Sequence, residues 1–194
     1  MLNPETLPHL QALIAEQRLD GWLLFDFKGR NPIAAAVLGE WIVGTRRVFV
    51  FVPRSGVPVA LVHEIDAELW HNWPESWSKH IGVRQQELEQ ALALYTGGLR
   101  IAADFSSRGA SPYLDCVPAG MIDLLSEFAC ELTPSAELVT QGRLPSKRWR
   151  SCNYSGIKIE NSLPRGISPA SLTRLGISGG AFTPHFNYRR SQGK

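Results

Sequence analysis

Short apolar segments alternate with segments of helical periodicity along most of the chain. Runs of apolar, β-branched and aromatic residues are typical of buried strands, and they occupy residues 22–27, 46–53, 57–63, 99–105 and 129–133. Arg54, Ser55 and Gly56 separate the second run from the third, which predicts a tight turn and a β-hairpin.

Helical spacing is clear near the start of the chain. Four apolar side chains fall on one helical face: Leu7, Leu10, Leu13 and Ile14. Asn3 is a suitable N-cap and Pro4 a suitable first helical residue, so we expect this helix to begin there. Further helices are expected over residues 33–38, 64–70, 82–96 and 117–128 and from residue 135. Helices that interleave with strands predict an α/β fold, with a mixed β-sheet and flanking helices.

Three tryptophans lie close together in the sequence, at Trp70, Trp73 and Trp77. Such a cluster is compatible with a lid or a subunit contact, because tryptophan is favoured where protein surfaces bind one another. It is also compatible with a small buried core beneath a loop, which is the interpretation we favour.

Charge divides the chain into two parts. Residues 1–140 carry 10 Lys and Arg against 17 Asp and Glu, whereas residues 141–194 carry 10 Lys and Arg against a single acid, Glu160. The second part has as many serines as the first 140 residues and no lasting periodicity, so it has little apolar surface to offset the entropy of ordering. We therefore expect a folded domain over 1–140 and a basic, largely disordered tail over 141–194.

The tail contains a basic cluster around Trp149. Its cations could contact phosphates while the ring stacks on a base, and they are Arg143, Lys147, Arg148 and Arg150. A solvated tail explains the same residues. Because no folded groove is expected to present them, we do not expect nucleic-acid binding.

Cysteine usage and hydropathy indicate the compartment. Cys116, Cys130 and Cys152 are odd in number and far apart, which argues against a disulfide framework or a cysteine-rich zinc site. The first residues lack the basic and long apolar segments of a signal peptide, and no run approaches the ~18 apolar residues of a membrane helix. We expect a cytoplasmic protein that does not bind a membrane.

The sequence predicts no catalytic or metal-binding set within residues 1–140. His63 and Glu64 begin an H-E-x-x-H pattern, but Ala67 occupies the position of the second histidine, so His63 is interpreted as the end of a strand. The remaining candidates lie where the first buried run meets a loop, which is a common place for ligand contacts in α/β sheets: Asp26, Lys28, Arg30 and Asn31. A structural ion pair with loop capping is the alternative role for these residues.

Several elements in order resemble one family. The segment from Leu10 to Leu24, with its Asp20-Gly21 turn into the first apolar run, is similar to the opening of creatinase, aminopeptidase P and prolidase proteins. The sequence FDFKGRNPIAAAVLG at residues 25–39 and TRRVFVFVPRSGVPVALVHEID at residues 45–66 resemble a bacterial Xaa-Pro peptidase branch of that family. The resemblance covers roughly residues 5–140.

The resemblance implies an N-terminal domain of ribonuclease-H-like topology. In this family such a domain is not catalytic; it packs against a pita-bread peptidase domain, helps to form dimers and shapes access to the active site. The peptidase domain holds two divalent metals on two Asp, one His and two Glu. After Thr140 only Glu160 and His185 could supply such ligands, so we expect no metal cofactor in this chain.

Three origins of the tail remain open: a frameshifted reading of a peptidase gene, a genuine basic extension, or an unrelated small domain. We favour the frameshift, which translation of the encoding DNA in the other frames would test. The leading functional hypothesis is therefore an inactive accessory domain, truncated before the metal site, that acts in dimerisation or substrate gating. Its expected partners are a second copy or a peptidase domain. The alternatives are part of an intact Xaa-Pro peptidase and a standalone small-ligand binding domain.

Overall fold

A mixed β-sheet forms the middle layer of the fold in the computed structural model, which describes residues 1–39 and 44–142. Within these residues the sheet has six strands: β1 (Gly21–Phe27), β2 (Arg47–Pro53), β3 (Val59–His63), β4 (Ser78–Gly82), β5 (Arg100–Ala103) and β6 (Glu131–Pro134). Their spatial order is β4-β3-β2-β1-β5-β6. The β1–β2 and β2–β3 pairs are antiparallel, and the other neighbours are parallel.

Helices flank this sheet, as the sequence predicts. They are α1 (Leu7–Glu16), α2 (Pro32–Leu38), α3 (Gln85–Thr96), α4 (Ala119–Glu127) and α5 (Ala136–Gln141), with a 3-10 helix over Glu64–Trp70. The predicted α/β class with a mixed sheet and flanking helices is confirmed, and so is the β2–β3 hairpin. Among the described residues, no helix has the length and apolar character needed to cross a membrane.

Alternation along β1 separates two apolar layers, because successive side chains of a strand point to opposite faces. Trp22 and Leu24 face the layer that includes α1 and α2, where Leu10, Ile14 and Val37 are buried. Leu23 and Phe25 face the other layer, which is filled from α3 and α4 by side chains that include Leu88, Leu92, Met121 and Leu125. The sheet is thus covered on both faces, which explains why β1 is apolar over most of its length.

The three clustered tryptophans are buried in the first of these layers, so the interpretation as a core is confirmed. Trp73 lies between its two neighbours, with ring centroids 5.3 Å from Trp70 and 4.9 Å from Trp77. Its indole Nε1 donates a hydrogen bond to the carbonyl oxygen of Ser78, 3.0 Å away. The cluster therefore anchors the start of β4 and is not available as a surface lid.

Two boundaries differ from the sequence-based expectation. Regular helix begins at Leu7 rather than at Pro4, after a turn over residues 4–6. Asn3 nevertheless caps this turn as predicted, because its side chain accepts hydrogen bonds from the backbone N–H groups of Glu5 and Thr6. The helix expected from residue 82 begins at Gln85, where the Glu87 carboxylate accepts hydrogen bonds from the N–H groups of Val83 and Arg84. The residues just before it form β4, a strand that the sequence analysis did not predict.

The tail expected over 141–194 lies outside the described residues, apart from its first two positions. The same holds for Cys152 and for the basic cluster around Trp149.

Candidate functional site

The loop after β1 is held by the carboxylate of Asp26, which is 2% exposed. One oxygen accepts a hydrogen bond from the backbone N–H of Gly29 at 2.7 Å, and the other accepts one from the N–H of Asn31 at 2.8 Å. Lys28 and Gly29 both have a positive φ, 59° and 68°, so the chain reverses tightly around the carboxylate. Asp26 therefore shapes the loop from within, with each of its carboxylate oxygens accepting a backbone hydrogen bond.

Asn31 is also buried and serves several backbone groups at once. Its Oδ1 accepts hydrogen bonds from the N–H groups of Ile33 and Ala34, which makes it the N-cap of α2. Its Nδ2 donates to the carbonyl oxygen of Phe25 and to the carboxylate of Asp104, each at 2.7 Å. Asn31 thus joins the end of β1, the start of α2 and the residue that follows β5.

Asp104 is the centre of this buried polar network. Besides Asn31, its carboxylate accepts hydrogen bonds from the Trp22 indole Nε1 at 3.0 Å and from the Ser135 hydroxyl at 2.7 Å. Three donors from distant parts of the sequence therefore converge on one fully buried acid. The sequence analysis missed Asp104 and Ser135; the available signal was a single acid at the end of an otherwise apolar run.

Burial has the largest effect on the pKa of both buried carboxyl groups, those of Asp26 and Asp104. Removal from water raises the pKa of Asp104 to about 6, although its three hydrogen bonds act in the opposite direction. Burial likewise raises the pKa of Asp26, against the lowering effect of the backbone N–H groups that it accepts from. These shifts accompany structural contacts, so neither acid is assigned a catalytic role.

The two cations among the sequence-predicted site residues are exposed. The Lys28 ammonium lies 5.3 Å from the centroid of the Phe27 ring, and the Arg30 guanidinium lies 5.8 Å from the same centroid. Both distances suit a cation–π contact. The structure therefore separates the four predicted residues into a buried structural pair, Asp26 and Asn31, and a solvent-facing pair, Lys28 and Arg30.

Arg30 stands at the rim of a groove of about 650 Å³ on the α3 and α4 side of the sheet. Its floor includes Phe25 and Phe27 from β1, and Arg47 from β2 also lines it. Sequence reasoning did not find this groove, because its lining residues come from four separate elements.

A metal centre does not fit the described residues. Over 1–39 and 44–142, no group of three or more His, Cys, Asp and Glu side chains is arranged to hold a metal ion. His63 ends β3, and its Nδ1 accepts a hydrogen bond from the N–H of Ile65 at 3.2 Å. The interpretation of His63 as a strand-end residue is confirmed.

Replacement of Asn31 distinguishes a structural role from a ligand-binding role. We expect Asn31→Ala to lower the free energy of unfolding by about 3 kcal/mol, because it removes a helix cap and leaves buried partners unpaired. Arg30→Ala, one residue away and exposed, is the matched control and should change stability by less than about 0.5 kcal/mol. Urea denaturation measures both, and equal losses for the two variants would contradict the assignment.

Asp104 should make stability depend on pH. Because the pKa of Asp104 is about 6 in the folded chain and 3.8 in the reference state, the folded chain binds more protons between these values. Its contribution to stability is therefore full below pH 4 and falls by about 3 kcal/mol as the pH rises to 7. In Asp104→Asn this fall should be absent, so the difference in unfolding free energy between variant and wild type should shift by about 3 kcal/mol in favour of the variant between pH 4 and pH 7, as measured by urea denaturation at both pH values. A variant that keeps the wild-type pH slope would show that Asp104 does not titrate as described.

Comparison with known proteins finds similar structures but no protein of similar sequence. No family model matches the chain, and no curated protein matches it. Several solved structures resemble it at low sequence identity, including the following three. The prolidase from Pyrococcus horikoshii OT3 has a TM-score of 0.51 at 13% identity, and the dipeptidase PepE from Mycobacterium ulcerans has 0.52 at 14%. The N-terminal domain of the cytoplasmic peptidase PepQ from Mycobacterium tuberculosis H37Rv has 0.50 at 16%.

The extent of each match shows which part of those proteins is shared. The similarity covers 72% of this chain but only 35% of the Pyrococcus prolidase and 36% of PepE. It covers 73% of this chain and 100% of the PepQ N-terminal domain. This chain therefore spans about a third of the length of the first two proteins, and it has the fold of the N-terminal domain of prolidase-like peptidases.

Proposed function

We propose that residues 1–140 are the non-catalytic accessory domain of a prolidase-like peptidase. The observation that carries the proposal is the match to the whole of the PepQ N-terminal domain and to about a third of the intact Pyrococcus prolidase. The chemistry of peptide hydrolysis would then belong to a separate peptidase domain with two divalent metals. Dimerisation through this domain and a cytoplasmic location belong to the same proposal.

Within that role, the loop after β1 is the candidate for substrate gating. Asp26 and Asn31 fix its backbone through buried hydrogen bonds, while Lys28 and Arg30 stay exposed on it. A rigid loop presents its side chains without a large entropic cost when a partner surface or a substrate approaches. Two cations on such a loop would favour an anionic group at the entrance to the neighbouring active site.

A domain exchange tests this role. Residues 1–142 replace the N-terminal domain of the Pyrococcus prolidase, and hydrolysis of an Xaa-Pro dipeptide is measured with Mn²⁺. We expect the fusion to be active and the isolated 194-residue chain to be inactive, because the proposal assigns the chemistry to the other domain. In the fusion, the double replacement of Lys28 and Arg30 by alanine should lower kcat/KM at least about threefold.

Lys79→Ala is the control, since it removes an exposed cation from the edge strand β4. Hydrolysis by the isolated chain would contradict the non-catalytic assignment. An active fusion in which the loop variant behaves like Lys79→Ala would contradict gating by the loop.

A second candidate is that the chain is part of an intact Xaa-Pro peptidase. The partial coverage of the full-length prolidase favours this candidate as well. The two candidates predict different masses for the native product: 21.5 kDa for the chain as given, and well above that value for an intact enzyme. Intact-mass spectrometry of the product captured from its native source separates them.

A further inference from the structure

The groove beside the β1–β2 pair has a size and lining suited to a small ligand. Its volume of about 650 Å³ lies within the range of about 300–1,000 Å³ that is typical of small-molecule sites. Apolar side chains from both the sheet and α4 line it, including Phe25, Phe27, Met121 and Leu124. The same groove also carries charged side chains of both signs. The positive ones lie near β1 and β2, and the negative ones lie on α3 and α4.

Basic side chains occupy the sheet side of the groove. Arg47 is the direct cross-strand partner of Phe27 in the antiparallel β1–β2 register, and the Arg30 guanidinium lies 5.8 Å from the Phe27 ring. Arg46 lines the groove as well. Arg47 is half-buried, and its Nη1 is 3.9 Å from the Met121 sulfur, so its charge is held next to the apolar floor.

Acidic side chains occupy the helical side. Glu89 projects from α3, and Asp123 and Glu127 project from α4, where a spacing of four residues places them on one helical face. The Glu89 carboxylate accepts a hydrogen bond from the Gln85 side chain at 2.6 Å, and both residues line the groove.

The two charged sides do not neutralise each other in the region that the structure describes. The ion pairs found over 1–39 and 44–142 are Arg54–Asp20 and Arg100–Glu131, and neither involves a residue of the groove. The acidic side of the groove would repel a simple anion, and the basic side would repel a simple cation. A ligand that carries both charges on an apolar body satisfies all three surfaces.

We propose that this groove binds a small zwitterion with an apolar body, of which an unblocked dipeptide is an example. Its carboxylate would lie against Arg30 and Arg47, where guanidinium groups can donate paired hydrogen bonds. Its ammonium group would lie against Glu89 and Asp123, and its side chains would contact Phe27 and Leu124. The proposal does not depend on the accessory role, since it concerns direct binding by this chain.

Isothermal titration of the full 194-residue chain with leucyl-phenylalanine tests the proposal. Three blocked forms are compared: N-acetyl, C-amide and doubly blocked. We expect the unblocked dipeptide to bind and each single block to weaken binding about tenfold, as the loss of one charge-assisted hydrogen bond implies. Arg47→Gln should weaken the unblocked dipeptide by a similar factor and leave the binding of the C-amide form unchanged.

Arg54→Gln is the matched control, because Arg54 lies in the turn after β2 and pairs with Asp20 rather than with the groove. Arg30→Gln, at an exposed position, provides a second variant if Arg47→Gln fails to fold. Three results would overturn the proposal: no binding of the unblocked dipeptide at millimolar concentration, equal binding of the doubly blocked form, or equal effects of Arg47→Gln and Arg54→Gln.

Discussion

A carboxylate removed from water must be satisfied by donors, and in this chain that requirement connects most of the fold. Asp104 accepts hydrogen bonds from Trp22 in β1, from Asn31 before α2 and from Ser135 before α5. An unsatisfied buried acid would be strongly destabilising, so each of these elements must occupy its place for the others to be stable. The backbone continues the connection, because the Asp104 carbonyl oxygen accepts from the N–H groups of Cys116 and Val117 ahead of α4.

The strength of this network explains why the loop after β1 can be short and yet well defined. Asn31 uses both ends of its amide, one to cap α2 and the other to reach Asp104 and Phe25. Asp26 then closes the turn in front of it. The exposed cations of the loop therefore project from a backbone that these buried hydrogen bonds hold in one conformation. Any role of the cations in recognition depends on that conformation.

Sequence patterns could predict the strands and helices that bury apolar residues, but they could not predict which polar residues meet. Asp26 attracted attention because charged residues follow it, whereas Asp104 ends an apolar run with little local signal. Both are buried acids at strand ends, and only the parallel pairing of β1 with β5 brings Asp104 close to Asn31.

Strand β4 was not predicted, for a different reason. It is an edge strand that presents mostly polar side chains, so alternation was absent. The groove charges were equally hidden, since residues 30, 47, 89 and 123 become neighbours only in three dimensions.

The central position of β1 has a consequence for the order in which the chain folds. The chain passes from β1 to β2 over residues 28–46, which include α2, and from β2 to β3 over residues 54–58. The hydrogen bond from Trp22 to Asp104 spans a much longer separation of 82 residues. Closure of that long loop carries the larger entropic cost, so the antiparallel β1–β2–β3 part of the sheet can form before β5 docks beside β1. Asp104 stays hydrated until that docking step. The energetic cost of dehydrating its charge therefore falls on a late event in folding, and mild acid, which neutralises the carboxylate, lowers the cost of that event.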